Sequence, residues 1–355
     1  MPLLGLSSSQ NESTCAIRCD GSVWCWGNNT WGQLGDGTLE ARATPVAVRG
    51  LDGPATSIAT GYHASCAVGA GGVRCWGGNA QGQLGDGTRT ARPLPVAVAG
   101  LARPAVAVVN GGIHACALLD DGSAACWGDN GHGGLGDGTT GARAAPTAVR
   151  NLAAPVAELA AGQYHTCARL RDGSVQCWGF NELGAVGDGT TVDRGVPVTV
   201  SLPDAAVAIA ATSNHTCAVL TGGELWCWGY NSDGAVSPTR VNQLRPVRVS
   251  LGGAAVRAVA TGQRHTCALL DGGELRCWGM NGTGQLGDGS TVRRVSPVAV
   301  AGLDGEAARV SAGVAFTCAG LVDGRTRCWG GASQGQLGNG SLEDSLAPVT
   351  VTLPP

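Results

Sequence analysis

His265-Thr266-Cys267-Ala268-Leu269-Leu270-Asp271-Gly272-Gly273-Glu274-Leu275-Arg276-Cys277-Trp278-Gly279 is one of seven copies of the same stretch. Its Cys-Trp-Gly end recurs with tryptophan at Trp26, Trp76, Trp127, Trp178, Trp228, Trp278 and Trp329, in steps of 50 or 51 residues. A period of that length filling nearly the whole chain marks a repeat architecture. The stretch reads as a β-hairpin. Counted outward from the Asp271-Gly272-Gly273 loop, Leu269 faces Leu275, Ala268 faces Arg276 and Cys267 faces Cys277. The same count opposes Cys15 to Cys25, Cys116 to Cys126, Cys167 to Cys177, Cys217 to Cys227, and Cys318 to Cys328. In the second repeat Cys66 and Cys75 are one residue closer together. A two-residue loop, Ala70-Gly71, absorbs the deletion and keeps the pair opposed. Opposed residues on antiparallel strands lie within disulfide range. Seven buried small hydrophobic pairs are the alternative, but a turn that shortens while the pair stays opposed favours seven disulfides. The spacing is unlike that of zinc sites. Cys19, at the tip of the first hairpin, is left over and expected as a thiol.

Each repeat holds four strand-like runs. In the third they are Pro95–Val98, Ala105–Val109, His114–Leu119 and Ser123–Trp127, separated by Gly-rich breaks. Sustained 3.6-residue periodicity is missing. Glycine is high at 59 and charged residues low at 14%, but 43% of the chain is hydrophobic, which fits tight turns and short strands rather than disorder. Four antiparallel strands repeated seven times read as an all-β, seven-bladed propeller occupying residues 1–355 as one domain. Residues 3–9 align with the second run and 348–353 with the first, so the two ends are expected to complete one shared blade and close the ring.

Gly162-Gln163-Tyr164-His165, the Asp-Gly hairpin, and Trp278-Gly279-Met280-Asn281-Gly282-Thr283-Gly284-Gln285-Leu286-Gly287 resemble the repeats of the RCC1 (regulator of chromosome condensation) family. The resemblance covers the whole chain and implies a seven-bladed propeller. It does not fix a function, because one propeller fold hosts many. Paired cysteines depart from the nuclear members and, with seven disulfides expected, point to an oxidising extracellular or periplasmic compartment. The opening Met1–Gly5 is no signal peptide, so an export signal is expected to have been trimmed.

A net charge of −3, with arginine supplying every one of the 23 basic residues, does not support a nucleic-acid partner or an anionic membrane surface. No apolar run approaches the roughly 20 residues of a membrane span. Strand polarity puts the Gly-x-x-His loop and the long loop after Trp-Gly-x-Asn on one face. At the x of that motif stand Asn28, Gly78, Asp129, Phe180, Tyr230, Met280 and Gly331. Tyr62, Tyr164 and Arg264 lie nearby, with Trp31 in the first long loop. Aromatics, Met and Arg are the residues of binding hot spots. The competing reading folds these side chains down over the blade ends, and both stay open.

Arg42, Arg92, Arg143, Arg194 and Arg294 suggest an anion-binding crown, but each follows an aspartate by six residues: Asp36, Asp86, Asp137, Asp188 and Asp288. Repeats five and seven lack both partners. An ion pair bracing the loop is therefore expected, with similar stability losses on removing either member. His114, His165, His215 and His265 recur at one position and are expected to pin neighbouring blades by hydrogen bonds rather than to bind a metal. The Gly-Asp-Gly-Thr turns supply too few carboxylates for calcium. The Gly-rich loops lead to strands, not helices, and are not phosphate cradles. Every polar candidate obeys the repeat, so no catalytic residue and no cofactor is expected.

The expected role is an exported monomeric scaffold that binds a protein partner through its loop-rich face. Bacterial members of the family include an inhibitor of β-lactamases that docks through an aromatic-bearing loop face, and the resemblance makes enzyme inhibition the specific version. Guanine-nucleotide exchange, as in the nuclear member, uses an inserted wedge for which the uniform repeats leave no room. The tryptophan signature Gly-Trp-Arg-His of the ultraviolet-sensing plant member is replaced by Gly262-Gln263-Arg264-His265. Carbohydrate binding is a further alternative, since Tyr and Trp beside amides also suit sugars.

Overall fold

The computed structural model describes residues 3–353. It contains 28 strands in seven antiparallel four-stranded sheets, arranged as a seven-bladed β-propeller. Blades I to VII span residues 5–47, 55–97, 105–148, 156–200, 206–249, 256–299 and 307–350. Among the described residues no helix is long and apolar enough to cross a membrane.

The central hairpin of every blade has the register that the cysteines imply. In blade VI, Cys267 pairs with Cys277 and Leu269 with Leu275. In blade II, Cys66 pairs with Cys75 and Gly69 with Gly72, so the missing residue does fall in the turn. All seven opposed pairs are disulfide-bonded, with Cα–Cα distances of 4.0–4.1 Å. That separation fits the closely spaced, non-hydrogen-bonded pair of an antiparallel ladder. Cys19 lies outside these bridges on an exposed turn.

The core is not inside the blades but between them. Trp329 of blade VII packs on Cys267, Cys277, Leu275 and Leu286 of blade VI. Trp278 repeats the arrangement on Cys217, Cys227 and Val236 of blade V. The seven tryptophans are 0–1% exposed. Each indole N–H donates to a backbone carbonyl of the preceding blade at 2.8–3.0 Å. A buried tryptophan brings a large apolar area, and its one polar atom needs such a partner. The glycine of Leu-Gly-Asp leaves room for the ring: a Cβ on Gly287 would lie 2.7 Å from the Trp329 indole nitrogen.

One expectation is corrected. The ends of the chain do not share a blade. The first sheet is complete with β1 (Gly5–Ser8), β2 (Ser13–Ile17), β3 (Val23–Gly27) and β4 (Arg42–Ala47). The last strand, β28 (Ser345–Thr350), pairs with β27 (Thr326–Gly330) in its own blade, Cys328 opposite Val349. The run read as the first strand of a repeat is thus the fourth strand of the preceding blade. The long loop after Trp-Gly returns the chain antiparallel beside the strand it just left, whereas residues 48–54 carry it inward to start the next sheet. The ring closes through the indole contact common to all seams and through local backbone contacts, with Phe316 where blades III to VI carry the histidine. Trp26 donates to Gln336 O at 2.9 Å, Gly340 N donates to Ala43 O at 2.9 Å, and Ser8 N donates to Ser311 Oγ at 2.8 Å.

Candidate functional site: the loop face

Two loops from each blade meet on one face of the ring, and backbone hydrogen bonds lock them together. The N–H of the residue after Trp-Gly donates back to the loop that ends at the repeated histidine: Phe180 to Tyr164 O, Tyr230 to Asn214 O and Met280 to Arg264 O, at 2.8–3.0 Å. This places the variable residue of one loop beside the variable residues of the other.

The long loop is held from inside by a buried asparagine. Asn281 Nδ2 donates to Asp288 Oδ1, Ser290 O and Val292 O at 3.0–3.1 Å, and its Oδ1 accepts from Leu286 N at 3.0 Å. Asp288 also accepts from Ser290 N, Ser290 Oγ and Arg294 Nε. Burial pushes the Asp288 carboxyl up, but the hydrogen bonds from Arg294, Ser290 and Asn281 outweigh it and hold it below its ordinary range. The five Asp–Arg pairs expected from the sequence all form, at 2.6–3.7 Å. They brace the loops and leave no crown of unpaired arginines. The aspartate side chains are only 3–9% exposed and the arginine side chains 32–44%, so the two partners are not equivalent.

The repeated histidines do pin the blades. Nε2 of His114, His165, His215 and His265 lies 2.9–3.0 Å from the hydroxyl of Thr166, Thr216, Thr266 and Thr317 in the next blade. Each threonine hydroxyl donates onward to a backbone carbonyl, so it accepts from an Nε2–H. Burial lowers His114 and His215 to about 4 and His165 and His265 to about 3, keeping the rings neutral. The rings of His114, His165 and His265 lie over the glycine three residues before each of them. A Cβ on Gly262 would meet His265 Cε1 at 2.1 Å, and Phe316 fills the same place over Gly313 in blade VII. Among the described residues no group of three or more His, Cys, Asp or Glu is placed to hold a metal ion.

The residues singled out from sequence gather into separate clusters. At the seam of blades I and II, Trp31 (45% exposed) lies 5.0 Å from His63, which meets Tyr62 edge-on at 4.7 Å. A Cβ on Gly78 would press His63 at 2.9 Å, which explains the glycine there. At the seam of III and IV, His132 stands 4.9 Å from Phe180 and 5.5 Å from Tyr164, and these two are 6.3 Å apart. Asp193 orients His132 at 2.7 Å and accepts the Asn181 N–H at 2.7 Å. At the seam of V and VI, Arg264 lies over Tyr230 at 5.7 Å, and Arg264 and Arg293 both engage Asp233, at 3.5 and 3.2 Å. Met280 holds the equivalent position in blade VI, half-buried. Phe180, Tyr230, Tyr164 and Tyr62 are also half-buried, so each side chain both packs and presents a surface.

Sequence reading missed His63, His132, Asp233 and Arg293. For two of them a signal existed. His132 and Asp233 hold the place of Trp31, two residues after the asparagine position, from which a side chain reaches over the next blade.

The RCC1-like domain model matches residues 105–354, and the model of the regulator of chromosome condensation (RCC1) repeat matches 20–68 and 70–118. The chain is 41% identical over 88 residues to the human probable E3 ubiquitin-protein ligase HERC3, covering 24% of this chain and 8% of that protein. It is 32% identical over 198 residues to the ultraviolet-B receptor UVR8 of Arabidopsis thaliana, covering 54% of this chain and 45% of the receptor. The chain therefore spans less than half of these relatives. Yeast RCC1 (Prp20), solved with Kap60 bound, superposes with a TM-score of 0.84 at 21% identity, over 94% of this chain and 84% of that one.

Proposed function

The chain belongs to the RCC1-like domain family, and on that footing we propose that it is an exported scaffold, one propeller over residues 1–355, that engages a protein partner through its loop face. Inhibition of an enzyme is the specific form this would take. The observation that carries the reading is where the scarce large side chains sit. Outside the seven buried tryptophans the chain has eight aromatics. Trp31, Tyr62, Tyr164, Phe180 and Tyr230 all stand on the loop face, joined by Met280 and Arg264. The loops carrying them are braced internally, so ordering them on binding costs little.

Export rests on the disulfides. Seven bridges, one per blade, are stable in an oxidising compartment and not in a reducing cytosol. That yeast RCC1 was solved with a protein partner supports the kind of ligand, not its identity. Catalysis is not part of the reading, because the polar residues of this face are engaged in bracing loops and seams.

The test is affinity capture from the extracellular fraction of the producing cells, with wild-type protein and with Phe180→Ala/Tyr230→Ala/Met280→Ala as paired baits. A partner retained by the wild type and lost by the triple variant supports the reading. A true partner held with unchanged affinity by the triple variant removes this patch from it. Glycan-array binding abolished by Tyr164→Ala would replace a protein ligand with a carbohydrate.

A further inference from the structure

The loop face is not uniform around the ring. The long loops of blades I to VI carry a buried asparagine, replaced by Ala332 in blade VII, and this position relates two variable ones. One is the residue just before it. The other lies eleven residues after it, ten in blade V, and in blades II to VI its carbonyl accepts from the asparagine Nδ2. In blades IV, V and VI these pairs are Phe180 with Val192, Tyr230 with Val241, and Met280 with Val292. The three valines are 59%, 65% and 56% exposed. In the remaining blades the same pairs are Asn28 with Glu40, Gly78 with Thr90, Asp129 with Gly141, and Gly331 with Glu343. Both positions are thus apolar in three consecutive blades and polar or glycine in the other four. Apolar side chains left in water at equivalent sites of three neighbouring blades, beside large half-buried ones, mark an interaction surface rather than scattered exposure.

Charge gives this arc a direction. At its blade V–VI end stand Arg240, Arg264 and Arg293. Arg264 and Arg293 share the single carboxylate of Asp233, a residue 7% exposed, and their side chains remain 46% and 42% exposed. Arg240 donates its Nε–H to Ser232 O, a neutral acceptor. Three guanidiniums against one carboxylate leave this end positive, within reach of Tyr230 and Val241. The blade IV end carries Glu182 and Asp193 instead.

We propose that the arc over blades IV–VI is the docking surface, and that its occupant is a protein segment presenting apolar side chains next to a carboxylate that meets Arg264 and Arg293. The inference rests on the reading of the loop face as a protein-binding surface, and it narrows that surface to three blades and one ligand chemistry. Paired guanidiniums with spare donors are suited to a carboxylate, and the apolar row supplies the contact area around it.

A displayed library of random 12-residue peptides, selected on the full-length protein, provides the test. Selected sequences are synthesised and titrated against four proteins: wild type, Val192→Ser/Val241→Ser/Val292→Ser, Arg264→Gln/Arg293→Gln, and Trp31→Ala/Tyr62→Ala. Thermal melts verify that each variant is folded. The expected result is a consensus joining aromatic or aliphatic residues to Asp or Glu. Affinity should fall at least tenfold in the first two variants and be unchanged in the third, and it should weaken with salt in every protein except the Arg264→Gln/Arg293→Gln variant. Enriched peptides without an acidic residue, no enrichment, or binding lost in the Trp31/Tyr62 variant alone would overturn the arc. That last result would leave the loop face standing as the binding surface. Binding indifferent to all three variants would remove the loop face as well.

Discussion

Asp288 and Arg294 show how far a residue pattern carries and where it stops. Six-residue spacing, with both partners present or both missing, was enough to identify the pair. The equality of the partners was not legible, because spacing says nothing about burial. The Asp288 side chain is 7% exposed and also anchors Asn281 and Ser290, whereas the Arg294 side chain is 39% exposed. Asp288→Ala should therefore cost roughly 1–3 kcal/mol, the penalty of stranding buried donors, and Arg294→Ala under about 1 kcal/mol. Denaturant melts of both variants measure this, and equal losses would contradict the burial difference. The histidines give a pH signature. Unfolded, they titrate near 6.5; folded, His114 and His215 stay neutral to about 4 and His165 and His265 to about 3. Below 6.5 the unfolded chain binds more protons, so stability falls as pH falls from 6.5 toward 4, by up to about 1.4 kcal/mol per pH unit for each ring. Glu158, raised by burial, works in the opposite sense and offsets a part of it. The slope of unfolding free energy against pH checks this. His265→Phe, which puts into blade VI the side chain that Phe316 supplies in blade VII, should lower that slope by one proton.

Blades were the most legible element. The opposed cysteines fixed the hairpin register, and the one-residue deletion before Cys75 served as an internal control. What the repeat could not fix is its own phase, since a periodic string can be cut anywhere. The assignment of the outer strand to the following blade failed for that reason. It is decided by the pairing of Gly27 with Arg42 across the long loop, a contact with no local signature. Each hairpin disulfide closes a loop of ten residues or so, worth roughly 2–3 kcal/mol on chain-entropy grounds. Replacing Cys267 and Cys277 together by alanine should lower stability by about that amount. The hydrophobic contact of both with Trp329 would be weakened in the same variant. A melt indistinguishable from wild type would show that the bridge contributes nothing to this seam.

For the whole molecule, the seams are the structure. Seven tryptophans and seven carbonyl acceptors recur at every seam, that of blades VII and I included, whereas the histidine–threonine bonds link only blades III to VII. The indole contact is therefore common to the whole ring. A circular permutant opened at Gly53, between blades I and II, with Pro355 joined to Met1, should fold with its melting temperature within a few degrees of wild type. A melting temperature far below that of the wild type would contradict the equivalence of the two loops, the one opened and the one joined. The loop face was legible as a face from strand polarity, and its aromatic positions were legible from the motif. Its division into seam clusters was not, because His132 and Asp233 act on the neighbouring blade rather than on their own. The proposed function joins bridges, compartment and braced loops in one account, that of a disulfide-stapled ring whose loop face works outside the cytosol. The measurement that tests it most directly is alkylation of the denatured, unreduced protein from its native source, followed by peptide mapping. The account predicts fourteen protected cysteines in seven within-blade pairs, Cys66 with Cys75 among them. Alkylation of all fifteen would contradict it and return the propeller to a reducing compartment.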